Sequence, residues 1–227
     1  MKKIYLALIL LLIPTPNAQA AFILSSAIVD FNKNSKQQDI ELISQGQESD
    51  YIITQVYEVQ NPGLANEKHV EIKNPEDAGI LVTPDKTILP PGGRKNMRFV
   101  LLRDADDSEH IYRVIIKPVI NDVSSNSKMA LKVLIGYEAL VIVRPLNPAP
   151  NLTGNRTGNK ITFKNSGNTN VILQSGEQCV DPVEKKDCKP LPLTRIYPGQ
   201  ETSMELPFST TATYFIWDGE KLEKKEF

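Results

Sequence analysis

Histidine and cysteine are almost missing from this chain, with two of each in 227 residues, and His69 and His110 stand far in sequence from Cys179 and Cys188. A metal site built on the two sulfurs would therefore lack neighbouring ligands. Also missing are the signatures of common enzyme chemistries: there is no Gly-x-Ser-x-Gly, no glycine-rich phosphate loop opening a helix and no His-Glu-x-x-His. Carboxylates are plentiful but scattered through polar loops, which leaves a glycosidase-like acid pair without support. Neither sign of charge predominates, since 26 Lys and Arg stand against 27 Asp and Glu. That balance gives no electrostatic case for nucleic acid or an anionic membrane. Beyond the amino terminus no run approaches the roughly 18 uninterrupted apolar residues of a membrane span, so no membrane insertion is expected. Helix-length amphipathic segments, internal repeats and low-complexity tracts are absent too. The stretches Asp104 to Glu109 and Ser124 to Lys128 are short enough to be loops. Nothing in the pattern asks for a cofactor or a metal, and the chain reads as a non-enzyme.

What is present begins with an export signal. Lys2 and Lys3 precede the apolar run Ile4 to Ile13, and Ala18-Gln19-Ala20 is a small-x-small cleavage site, so residues 1–20 read as a secretory signal peptide. Its removal would leave 24 basic residues against 27 acidic ones. In an exported chain Cys179 and Cys188, nine positions apart in a polar loop, are expected to form a disulfide. Closing so short a loop contributes on the order of 2–3 kcal/mol.

Arg144-Pro-Leu-Asn-Pro-Ala-Pro150 holds three prolines, which remove backbone donors and favour a stiff, extended connection. Residues 21–144 are thus expected to form one domain and 151–227 a second, with 145–150 as the linker. Strand signals recur at Phe22–Phe31, Asp39–Leu42, Tyr51–Val59, Val70–Lys73, Ile80–Val82, Lys95–Leu102, Ile111–Ile120 and Leu131–Val143. The second half adds Lys160–Lys164, Asn170–Leu173, Thr202–Leu206, Thr213–Trp217 and a last strand from Lys221. Asn61-Pro-Gly63, Asn74-Pro75, Pro90-Pro-Gly-Gly93 and Asp218-Gly219 supply turn chemistry between them. The pattern predicts an all-β protein of two immunoglobulin-like sandwiches.

The segment Met129 to Val143 is too long for an ordinary strand and too irregular for a helix. Before Gly136, Met129, Leu131, Val133 and Ile135 share one face, while Lys132 and Leu134 lie on the other. After it, Ala139 to Val143 is nearly continuous apolar sequence, as in a strand buried on both faces. Two readings stand: a single core strand kinked at Gly136, or a strand whose first half offers its apolar side chains to a partner.

Thr83-Pro-Asp-Lys-Thr-Ile-Leu-Pro-Pro-Gly-Gly-Arg-Lys-Asn-Met-Arg-Phe99, Ile111-Tyr-Arg-Val-Ile115, the long strand closing on Arg144-Pro145, Ile161-Thr-Phe-Lys-Asn-Ser-Gly-Asn168 and Ile196-Tyr-Pro-Gly199 follow one another in a telling order. Together they resemble the pilus-assembly chaperones of the chaperone–usher pathway, over the whole chain after residue 20. The Cys179/Cys188 loop and the closing Trp217-Asp-Gly-Glu-Lys221 look most like the branch serving class 5, cable-type and common pili. The resemblance implies a bent, boomerang-like pair of sandwiches in the periplasm of a Gram-negative bacterium. It implies pilus subunits (pilins and a tip adhesin) and an outer-membrane usher as partners. It also implies donor-strand complementation, in which a lent strand repairs a sandwich lacking its last one. Leu131, Val133 and Ile135, with Met129 as a fourth, take the donor role by this likeness.

Two positions depart from the family pattern. Where most members place an arginine and a lysine to hold the subunit's terminal carboxylate, this chain has Ala27 and Leu140. Arg113 and Lys117, four apart on one strand face, are the candidate substitutes; solvated cations on a half-exposed strand are the plainer alternative. Arg144 matches the interdomain arginine and Asp218 its acidic partner. A secreted immunoglobulin-like pilus subunit or adhesin would share the export signal and the strands, but should carry a mobile amino-terminal donor extension; here the long strand is internal.

Overall fold

The computed structural model describes residues 21–32, 35–104, 106–119 and 134–227. Residues 1–20, read as the signal peptide, lie outside them, as do Met129, Leu131 and Val133. The first half contains β1 (Phe22–Leu24), β2 (Ile28–Phe31), β3 (Gln37–Ser44), β4 (Asp50–Gln60), β5 (Lys68–Glu71), the one-turn helix α1 (Pro75–Ala78), β6 (Ile80–Thr83), β7 (Lys86–Leu89), β8 (Arg94–Leu101), β9 (His110–Pro118) and β10 (Tyr137–Val143). One sheet runs β1-β3-β8-β6, and the facing sheet β2-β10-β9-β4-β5, with β7 also paired to β4. Period-two alternation turns Leu42, Met97 and Phe99 of the first sheet against Ile52, Tyr112, Val114 and Val141 of the second, all buried. A buried side chain of this size contributes about 1.5–3 kcal/mol, so these rows hold the sandwich together.

The second half contains β11 (Leu152–Thr157), β12 (Lys160–Asn165), β13 (Val171–Asp181), β14 (Lys186–Leu191), β15 (Thr194–Ile196), β16 (Glu201–Glu205), β17 (Ala212–Trp217) and β18 (Leu222–Glu226). Its sheets run β11-β12-β16 and β14-β13-β17-β18, with β15 on β13. The core centres on Phe163, whose ring meets Tyr214 and Phe227 edge-on at 5.9 and 4.9 Å.

Strands β7, β11 and β15 form where the sequence pattern carries no strand signal, and three further segments differ in kind from the expectation. Phe22–Phe31 divides, because the chain passes from one sheet to the other: β1 pairs with β3 and β2 with β10. Asn74-Pro75 opens α1, with Asn74 accepting from the Glu76 N–H, Pro75 in the first turn and Gly79 ending it at φ 73°. The cysteine segment is a hairpin, not a loop: β13 runs on to Asp181 and pairs with β14, placing Cys179 opposite Cys188. No helix among the described residues is long and apolar enough to cross a membrane.

Candidate functional site

β10 is hydrogen-bonded to β9 along its whole length, from Tyr137 opposite Ile116 to Val143 opposite His110. Its other neighbour, β2, runs parallel and begins only at Ile28 opposite Leu140. The Leu140 N–H donates to the Ala27 carbonyl at 2.9 Å, so strand alternation aims the Glu138 N–H at the same edge. Ahead of Leu140 no strand among the described residues lies along that edge. A short stretch of sheet edge is thus left open, and such an edge is a template for another strand.

The chain leading into this edge is apolar and exposed. Ile135 is 44% exposed. Gly136 lies so close to β9 that a Cβ on it would sit 3.0 Å from the Lys117 Cβ and 3.1 Å from the Ile116 carbonyl oxygen. Beside it Ile115, Lys117, Pro118, Leu134, Tyr137 and Glu138 line a concavity of about 450 Å³. Tyr137 and Ala139 to Val143 pack into the first domain or its junction.

Arg113 and Lys117 share the outer face of β9. Arg113 stands opposite Leu140 on one side and Tyr57 on the other. Leu140 in turn lies beside Ala27, so the two family anchor positions are adjacent here but apolar, and a cation sits one strand over. The Arg113 guanidinium pairs with Glu138 at 3.2 Å, while its Nε is buried with no hydrogen-bond partner. Lys117 is exposed beside Gly136 and Ile53. Four residues of strand put their Cα atoms about 13 Å apart, a gap that two long side chains can close from opposite ends.

Arg144 is buried at the junction of the two sandwiches, 4% exposed. Its Nε and Nη2 donate to the two oxygens of Asp30 at 3.0 and 2.9 Å, a bidentate clasp within the first sandwich. From the second sandwich, Nη1 meets Thr169 Oγ1 at 2.8 Å and the carbonyls of Asn170 and Asp218 at 3.0 Å each. The expected carboxylate pair with Asp218 is therefore replaced by a bond to its main chain. The Asp218 carboxylate is occupied by the turn, accepting from the N–H groups of Glu220 and Lys221 at 2.8 and 2.7 Å. Gly219 makes room, since at φ 102° a Cβ there would lie 2.6 Å from the Arg144 Cζ.

Glu109 completes the junction, its side chain 1% exposed and 3.7 Å from Arg144. One oxygen accepts from the Thr169 hydroxyl and from the Asn170 main chain and amide at 2.7–2.8 Å; the other is buried without a partner. Burial pushes its carboxyl above the ordinary range, against the pull of these donors and of Arg144. Arg195 donates to the Asn170 side chain, and burial lowers its pKa. Tyr197 closes an apolar contact with Val59, Ile111, Leu140 and Ile142, and burial raises its hydroxyl. Sequence reading missed Asp30, Glu109, Thr169 and Asn170, because polar residues in strand ends and loops look solvated until the second sandwich covers them.

Cys179 and Cys188 form a disulfide. Glu177 lies within ligand distance of both sulfurs, but a sulfur in a disulfide offers no thiolate to a metal.

No protein-family model matches the chain. It is 33% identical to a CS1 fimbrial protein of Escherichia coli over 208 residues, which cover 88% of this chain and 85% of the relative. It is 26% identical to a CFA/I fimbrial protein of the same species over 234 residues, covering 100% of this chain and 97% of the relative. Among solved structures, the class 5 fimbriae chaperone CfaA has a TM-score of 0.63 at 25% identity, with 90% of this chain and 98% of that one covered. A chain from the complex of Salmonella enterica SafA pilin with the SafB chaperone has a TM-score of 0.65 at 16% identity, covering 92% and 97%; at that identity the likeness is one of fold.

Proposed function

The chain belongs to the fimbrial chaperones of the chaperone–usher pathway and is similar to a class 5 member, and from that premise we propose that it acts by lending a strand at the open edge of β10. The supporting observation is the mismatch in pairing: β10 has β9 throughout but β2 only from Leu140 onward, so one edge ends unpaired beside exposed apolar chain. A pilus subunit lacking its last strand has two unpaired edges and an open core, both costly in water. A strand of the subunit pairs with the edge, and Met129, Leu131, Val133 and Ile135 fill its pockets, which gives affinity through the main chain and selection through the side chains. Arg113 and Lys117 take the subunit's terminal carboxylate. Arg144 holds the two sandwiches at a fixed angle, so that the edge and these cations face the same subunit. The protein works in the periplasm, binds and caps pilins or a tip adhesin, and passes them to an outer-membrane usher. It acts by binding, not catalysis.

Co-purification of the pilin with tagged chaperone, in cells without usher, tests this reading. Val133→Glu puts a charge into an apolar pocket, a cost well above the few kcal/mol one side chain contributes. The variant should remain folded and recover no subunit. A stable complex with Val133→Glu would remove the donor assignment.

A further inference from the structure

Three exposed apolar side chains stand abreast on the outer face of the first sandwich. Tyr51 on β4 lies opposite Ile88 on β7, and on its other side its carbonyl accepts from the Val119 N–H at 2.7 Å, just past β9. The three are 47%, 52% and 41% exposed and line a concavity of about 320 Å³ with Ile53 and Lys86. In the next row Ile53 stands between Lys117 and Lys86, both exposed and without an ion pair among the described residues. An apolar row bordered by two free ammonium groups suits a partner that brings apolar side chains together with a carboxylate.

We infer that this row is a second contact for the same pilus subunit, an inference that rests on the reading of β10 as the lent edge. Continuity supports that occupant. Lys117 belongs both to the row of Ile53 and to the concavity beside β10, so the two surfaces share a border. Continuing the β9–β10 register back from Tyr137 opposite Ile116 brings Leu134 level with Val119, so the row lies at the height where the apolar approach to β10 begins. A sandwich paired at an edge carries its second sheet about 10 Å out of the plane. The open edge lies on the β2 side, so on the proposed reading that second sheet reaches back across β10 and β9 to the row on β4 and β7. The pockets filled by the lent strand would then select the subunit's open groove, and the Tyr51 row its closed outer surface.

The test measures capture of the pilin in competition with wild-type chaperone, without usher, for Ile88→Glu, Tyr51→Ser and Lys86→Glu beside Val133→Glu. All three positions are exposed, so melting should stay at the wild-type temperature; Ile88→Ser serves if the glutamate variant does not fold. A roughly tenfold loss of capture is expected for Ile88→Glu or Ile88→Ser, and a smaller loss for Lys86→Glu that shrinks as salt is raised. Wild-type capture by all row variants, with Val133→Glu inactive, would overturn the row and leave the lent edge standing. Retained capture by Val133→Glu would overturn the lent edge itself, whatever the row does. A defect seen only when usher is present would assign the row to the usher. A loss of self-association with unchanged capture would assign it to a second copy of the chain. Either outcome would overturn the inference.

Discussion

Arg113 stands across from Leu140, so a basic group lies one strand over from the apolar pair Ala27 and Leu140. On the proposed reading the outer nitrogens of its guanidinium, which already meet Glu138, give one charge-assisted hydrogen bond or more to the subunit's carboxylate. Losing one such bond costs about 1.5–3 kcal/mol, roughly ten- to hundredfold in Kd. Arg113→Gln should weaken subunit binding by that factor in a titration, with melting unchanged. A pilin with an amidated terminus should bind wild type less well and lose little more with Arg113→Gln; independent, additive losses would give Arg113 another task. Glu109 carries a different prediction. Its carboxyl is raised in the folded state, so the native protein holds that proton more tightly than the unfolded chain does. This contribution to stability is full below the unfolded value of 4.5 and is lost as pH rises through the folded one. Denaturant midpoints of wild type and Glu109→Gln, compared from about pH 4.5 to about pH 7, should show wild type losing ground to the variant as pH rises. A gap that is flat or moves the other way would contradict the buried, raised carboxyl.

Among the elements, the β13–β14 hairpin is held by the one covalent cross-link, between residues directly opposite each other. Replacing Cys179 and Cys188 together by serine should destabilise the second sandwich by about 2–3 kcal/mol and leave the β10 edge intact. Thiol trapping of the native protein should find no free thiol; two would contradict the bridge. This hairpin was only half legible in sequence. The strand signal stops at Leu173 because the register shifts between Gln174 and Glu177, with Ser175 at φ 48°, and a bulge breaks the period-two alternation by which strands are recognised. β1 and β2 read as one strand for a related reason. Phe22 and Val29 both face inward although they differ in parity, since the chain changes sheets between them. Where a strand stays within one sheet from end to end, as β4, β8, β9 and β17 do, the sequence pattern and the structure agree closely.

For the molecule as a whole, the order of motifs along the chain carried the two-sandwich fold and the family, while the junction between sandwiches was legible only at Arg144 and Asp218. The partners of Arg144 come from β2, from the turn before β9 and from two places in the second sandwich, and no local pattern links them. The same limit applied to the open edge of β10. Apolar alternation pointed to the stretch around Ile135, but the open side of β10 follows from where β2 begins, which only the assembled sheet reveals. The most direct measurement is amide hydrogen exchange at neighbouring positions of β10, read by NMR in the free chaperone and in its complex with a pilin. The Glu138 N–H faces the open edge and the Ala139 N–H faces β9. Glu138 should exchange fast in the free protein and become strongly protected in the complex, with Ala139 protected in both. A Glu138 amide that exchanges equally fast with and without the pilin would contradict strand lending at β10.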